Sequence, residues 1–194
     1  MANYKNIIPF TMDYEGANTK NGGLVDIKED SGGITKFGVC LEFAKDTRNV
    51  ALFDLNDDGI IDRSDIKIMT REVAEEAFKK YFWDKYNLDA VTSDKKAFVV
   101  FDAAMNNGLG NTIKFLQRTL VMLGLPCKLD YIFGNKTFTF MEQANTESFC
   151  STFLSIREGF FKKIVANRPS QKIFLKGWLN RITKIKNDLK RLDN

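Results

Sequence analysis

No histidine occurs anywhere in the 194 residues, and this absence narrows the available chemistry sharply. Without imidazole there is no Ser-His-Asp triad, no Cys-His pair and none of the common histidine-ligated zinc hydrolase sites. For a hydrolase, carboxylate chemistry is mainly what remains. Cysteine is scarce too. Cys40, Cys127 and Cys150 are odd in number, widely spaced and form no CxxC pair, so they read as reduced core thiols. No apolar run approaches the roughly 20 residues that span a bilayer. The opening Met1-Ala-Asn-Tyr-Lys-Asn-Ile-Ile-Pro-Phe has no basic leader followed by a signal-length apolar stretch, so a soluble, cytoplasmically made chain is expected. There is no internal repeat, low-complexity tract or obvious linker.

What is present suits one compact globular unit, or a small domain with an appendage: 44% of residues are hydrophobic and 28% charged. The net charge of +4 hides an asymmetry. Residues 1–154 carry 18 basic and 22 acidic side chains, whereas 155–194 carry 11 and 3. A basic C-terminal surface suits a polyanion such as nucleic acid, anionic lipid or an acidic cell wall, or is simply a solvated helix face. No nucleic-acid-binding motif accompanies it and the remainder is acidic, so no specific nucleic-acid partner is expected.

Periodicity predicts a mainly α fold. Tyr4, Ile7, Ile8, Thr11 and Glu15 fall on one helix face, with Gly16 as its stop. Gly16 to Gly38 is Gly-rich and polar, suited to turns or a short hairpin. Thr70 is placed to N-cap an amphipathic helix ending near Trp83-Asp84. Residues 95–106 and 111–124 read as two buried helices. Residues 146–167 and 170–192 read as a C-terminal helical pair, with Pro169 as a helix starter. The apolar stripe of the last helix is expected to dock while its basic face stays wet. Trp83 and Trp178 suit packing or sugar stacking equally.

Between these elements, Asp54-Leu-Asn56-Asp-Asp58-Gly59-Ile60-Ile61-Asp62-Arg-Ser-Asp65 has the spacing of a twelve-residue EF-hand loop. Asp54, Asn56, Asp58, the Ile60 carbonyl, Asp62 and Asp65 are the expected ligands of a structural Ca2+, with Gly59 at the sharp turn. Five carboxylates in twelve residues would otherwise repel one another. An aspartate at position 12 resembles the dockerin-type variant.

Several stretches along the chain carry a family resemblance. Asp13-Tyr14-Glu15-Gly16, followed by Asp30-Ser31-Gly32-Gly33-Ile34-Thr35-Lys36-Phe37-Gly38, resembles the N-terminal signature of glycoside hydrolase family 108, the endolysin-type N-acetylmuramidases. That signature is a glutamate before two glycines, then D-x-G-G-x-T-x-x-G; position 17 here is alanine instead of the second glycine. Thr70, Ala74, Phe78 and Tyr81-Phe82-Trp83-Asp84 are similar to the family's helix ending in Y-W-D. Phe101-Asp102-Ala103, Asn106 and Gly108 resemble its F-D-x-x-x-N-x-G stretch. Leu116-Gln117, Leu123-Gly124 and Asp130 to Thr137 look like the start of its peptidoglycan-binding-type region, and Arg157, Phe161 and Gly177 to Arg181 like its end. Only about residues 45–68 fall outside, where the calcium loop looks like an insertion.

The resemblance implies a lysozyme-like catalytic region over 1–110 and a peptidoglycan-binding-type helical region over 111–194, packed together as one compact unit, in a monomer that acts on bacterial peptidoglycan. Glu15 would protonate the oxygen of the β-1,4 bond between N-acetylmuramic acid and N-acetylglucosamine, kept protonated by its apolar helix face. Thr35 and Asp30 are candidates to hold or activate water, and Tyr14, Gly33 and Asn106 to bind substrate. Asp30 and Thr35 equally suit a turn cap and a hairpin pair, and Asp102 reads as a structural hydrogen-bonder. The family also implies release to the wall by a separate holin. Two alternatives stay open: a lytic transglycosylase using the same Glu15, and a non-catalytic, calcium-dependent wall-binding module.

Overall fold

A computed structural model of the chain describes residues 1–26 and 33–192. The fold is mainly α: ten helices and one two-stranded hairpin among the described residues. It divides into two compact units, Ile7–Tyr81 on the one hand and Met1–Asn6 with Phe82–Asn194 on the other.

α1 (Tyr4–Tyr14), which belongs to the first unit from Ile7 onward, buries Ile7, Ile8, Thr11 and Met12, the stripe its period predicts. β1 (Thr35–Lys36) and β2 (Val39–Cys40) form the hairpin. The short helices α2 (Leu41–Asp46), α3 (Val50–Phe53) and α4 (Arg63–Ile68) follow. They precede α5 (Arg71–Phe78), whose N-terminus is capped by the Thr70 hydroxyl accepting from the Val73 N–H. Phe43, Phe53 and Tyr81 cluster at ring separations of 5.6 to 6.5 Å, anchoring the ends of these short helices. The chain beyond α5 continues through a π-helical turn over Lys79–Trp83, so helix persists to the expected boundary with altered winding.

The second unit is built around α6 (Asp94–Asn107), in which every residue from Ala97 to Ala104 is buried. A helix covered on all sides must sit at the centre of its bundle. It packs on α7 (Leu109–Met122) and α9 (Thr146–Asn167), and α9 packs on α10 (Lys172–Asp188). Trp83 is fully buried, edge-on to Tyr4 and Phe101, and donates its indole N–H to Asp89 at 2.8 Å. It is therefore a packing residue.

The centre also holds charge. Asp102 of α6, fully buried, accepts from Arg157 of α9 at 2.8 Å and from Arg181 of α10 at 3.0 and 2.8 Å. Arg157 is itself fully buried and also donates to Asn107 at 3.0 Å. Burial drives the Asp102 carboxyl upward, but the guanidiniums of Arg181 and Arg157 outweigh it and hold the group below the usual carboxylate range. Three helices are thereby fixed to one carboxylate.

A helix absent from the sequence reading is α8 (Asn135–Gln143). Its Thr137-Phe-Thr-Phe140 run alternates like a strand, and Gly134 at its N-cap brings no side-chain cap. What makes it helical is tertiary. Thr137 and Met141 are buried four residues apart, and buried Lys96 donates to the Met141 and Glu142 carbonyls at 2.8 and 3.0 Å, satisfying the helix end. In α10, Ile182 and Ile185 dock as expected, but Ile173 and Phe174 at its start are 78% and 49% exposed.

Replacing Asp102 by alanine strands the buried Arg157 charge, and a loss of about 3–5 kcal/mol is expected. Because the carboxyl is held low, its contribution is present above the unfolded aspartate range and is lost as pH falls through the folded value. Urea denaturation at neutral pH checks this; a loss below about 1 kcal/mol would contradict the role assigned to Asp102.

Candidate active site

Glu15 owes its position to how α1 stops. Gly16 takes φ +75°, its N–H reaches the Asp13 carbonyl at 3.1 Å, and the Ala17 N–H reaches the Met12 carbonyl at 3.0 Å. This pair of bonds is a Schellman motif, with Glu15 as the C-cap and Gly16 as the residue in the left-handed region. Only one glycine is required. Ala17 has an ordinary φ and is buried, as Met12 is, in the two positions whose apolar contact usually accompanies this motif. Alanine in place of a second glycine therefore costs the turn nothing.

The hairpin supplies the other wall. Thr35 pairs with Cys40 and Lys36 with Val39, leaving Phe37 and Gly38 as a two-residue connection at φ +51° and +82°. Positive φ at both positions is the type I′ signature that matches strand twist. Gly38 lies directly against Glu15: a Cβ there would come within 2.8 Å of the Glu15 Cγ and 3.2 Å of its Oε2. On the other side of the turn, the Phe37 N–H donates to the Gly22 carbonyl at 2.7 Å, and the Phe37 ring occupies the space a Gly22 side chain would need. The half-buried Glu15 is thus held between a fixed helix end and the tip of a tight turn.

The other sequence candidates fall as follows. Thr35 lies in β1, with backbone bonds of 2.9 Å to Val25 in both directions, and its hydroxyl makes a long 3.4 Å bond to the Gly33 carbonyl. Gly33, at φ +71°, turns the chain into β1. Tyr14 is half-buried as the last residue of α1. Asp30 lies outside the described residues. Asn106 belongs to the other unit, is exposed, and accepts from Arg157 at 3.5 Å. Gly38 itself was legible only as the last letter of a motif. Its use as the surface that contacts Glu15 needed the hairpin register.

In the 54–65 loop, Asp57 and Gly59 take φ +60° and +85°. That curls the chain so that Asp54 accepts from the Asp58 and Gly59 N–H groups at 3.1 and 2.8 Å, and Asn56 donates to Asp58 at 2.9 Å. Asp65 is fully buried and accepts from Leu55 and Asp62 N–H at 2.8 and 2.7 Å, closing a capping box on α4 with Asp62. Among the described residues no group of three or more acidic, cysteine or histidine side chains is close enough to hold a metal. Trp178 stacks on Phe161 at 5.0 Å and 18°, which accounts for one of its faces by packing.

Residues 9–108 match the family model described as glycosyl hydrolase 108, and residues 111–183 the one described as a predicted peptidoglycan domain. No curated protein matches the chain. Among solved structures, SagA of Brucella abortus has a TM-score of 0.71 at 18% identity, over 98% of this chain and 95% of that one, a likeness of fold. A glycoside hydrolase that acts on peptidoglycan is the class these findings define. The chain belongs to the glycosyl hydrolase 108 family.

Gly38→Ala adds a methyl where Glu15 stands and places alanine at positive φ. A stability loss of about 1–2 kcal/mol is expected, together with a fall in peptidoglycan cleavage on the order of 100-fold, as for a 1 Å misplacement of a reacting group. Turbidity clearing of purified sacculi beside a thermal melt checks both. Cleavage at the wild-type rate would contradict the contact.

Proposed function

We propose that the chain is a muramidase that cleaves the β-1,4 bond between N-acetylmuramic acid and N-acetylglucosamine, with Glu15 as general acid. The supporting observation is the built setting of Glu15, a half-buried carboxyl fixed at its backbone by the Schellman turn and at its side chain by Gly38. In this reading Glu15 gives its proton to the bridging oxygen as the bond from that oxygen to the muramic C1 breaks. Water then adds at C1 and returns a proton. Two carboxyls at a set separation would decide whether configuration is kept or inverted, and Asp30 and Thr35 are the groups we assign to the water side. The same reading makes the protein endolysin-type. In it a separate holin-type pore would admit the protein to the wall.

Mass spectrometry of digested sacculi tests the chemistry. Wild type is expected to release reducing N-acetylmuramic ends, and Glu15→Gln to lose at least about 100-fold in rate while still pelleting with sacculi. Anhydro-muropeptides would make the reaction a transglycosylation. Sacculi that neither protein cuts would leave a binding module.

We further infer that the 54–65 loop takes a structural Ca2+ through Asp54, Asn56, Asp58, the Ile60 carbonyl, Asp62 and Asp65. Support comes from the spacing and from the two left-handed residues that curl the loop. An oxygen that accepts one N–H keeps a second lone pair for a cation, so the backbone bonds to Asp54, Asp58 and Asp65 are compatible with binding. Loop ordering would then be linked to calcium. The melting temperature is expected to rise from chelator to millimolar calcium; identical melts would sink the assignment.

A further inference from the structure

Within the region matched to the predicted peptidoglycan domain, a cavity of about 410 Å³ opens between the 126–130 segment and α8. It lies outside the Glu15 site, and its volume falls in the ordinary range for small-ligand pockets. The wall is preorganised. Gln117, fully buried in α7, donates to the Asp130 carboxylate at 2.7 Å and to the Ile132 carbonyl at 3.0 Å, and accepts from the Tyr131 N–H at 2.9 Å. A buried amide that uses both its ends on one loop fixes that loop before any ligand arrives.

The lining has two characters. Pro126 and Phe140 give an apolar side, while Lys128 and Lys136 bring two exposed ammoniums to the rim. Neither lysine enters an ion pair among the described residues. Asp130 beside them stays anionic, its carboxyl held below the usual range by the Ile132 N–H, Gln117 and Lys128. Two ammoniums against this one carboxylate leave the lining with one net positive charge.

Peptidoglycan offers two kinds of surface to such a pocket. Its glycan presents hydroxyls and flat pyranose faces, which call for stacking indoles or phenols, and neither tryptophan nor tyrosine lines this cavity. Its stem peptides present free carboxylates beside methyl groups, which match two lysines over an apolar wall. We propose that this cavity binds the acidic stem peptide of peptidoglycan, holding a carboxylate at Lys128 and Lys136 and the adjacent methyls against Pro126 and Phe140. The proposal rests on the assignment of peptidoglycan as substrate and deepens it: wall attachment reads the peptide while Glu15 works on the glycan.

The test uses the full chain and three probes: a synthetic stem tetrapeptide, its carboxyl-amidated form, and glycan strands stripped of peptide with their lactyl carboxyls capped as amides. Titration is followed by NMR, beside a melt to confirm folding. Wild type is expected to bind the tetrapeptide saturably, and Lys128→Glu with Lys136→Glu to weaken it at least tenfold while cutting stripped glycan at the wild-type rate. The proposal is overturned if the tetrapeptide does not bind, if the amidated form binds equally well, if the double variant binds as wild type does, or if stripped glycan displaces the peptide. Peptide binding without glycan cleavage by the wild type would leave the pocket standing and remove the enzyme assignment. Cleavage without peptide binding would do the reverse.

Discussion

The candidate site depends on one close approach, that of the Gly38 backbone to the Glu15 side chain. A Cβ on residue 38 would fall 2.8 Å from the Glu15 Cγ, a distance that real packing does not allow, so this face of the turn must be glycine. The constraint runs in both directions. The hairpin needs positive φ at residues 37 and 38 to close in two residues, and closing there is what brings bare backbone against the carboxylate. Helix α1 completes the arrangement by ending on Glu15, so the residue has helical backbone on one side and a left-handed turn on the other. Such placement fixes the direction of a carboxyl better than a mid-loop position would.

The second unit solves a different problem. Its central helix is buried on all sides and carries Asp102 at the core. Two arginines from two other helices neutralise that carboxylate with short, directed bonds, leaving one net positive charge in a cluster that is itself tied to Asn107. Removing Asp102 leaves two guanidiniums unmatched, so the three helices are specified together through that carboxylate. Gln117 does the corresponding work at the periphery by pinning the 130–132 loop. Polar groups buried and fully bonded thus set register where Phe and Leu alone would tolerate slippage.

Much of this was legible in the residues. The α1 stripe ending in Gly16, the Thr70 cap, the two long helices through 94–122 and the terminal pair follow from periodicity and capping, because there the local preference and the tertiary need agree. Glu15 stood out once histidine was missing and the family motif was seen. Less accessible was α8, whose Thr-Phe alternation reads as a strand until Lys96 is found capping its end. The short helices α2, α3 and α4 are too brief to leave a period; α2 and α4 start on capping side chains, while α3 has none. Ala17 shows the reverse case, where a departure from a motif becomes harmless once the bond from its N–H to Met12 identifies its place in the turn.

The proposed chemistry requires that Glu15 is the group that meets the scissile bond. The most direct measurement is a crystal structure of Glu15→Gln holding an uncut peptidoglycan oligosaccharide. A glycosidic oxygen is expected within about 3 Å of the residue 15 side chain, with the sugar chain passing over the Gly38 turn. An oligosaccharide ordered on the protein with no glycosidic oxygen near residue 15 would contradict it.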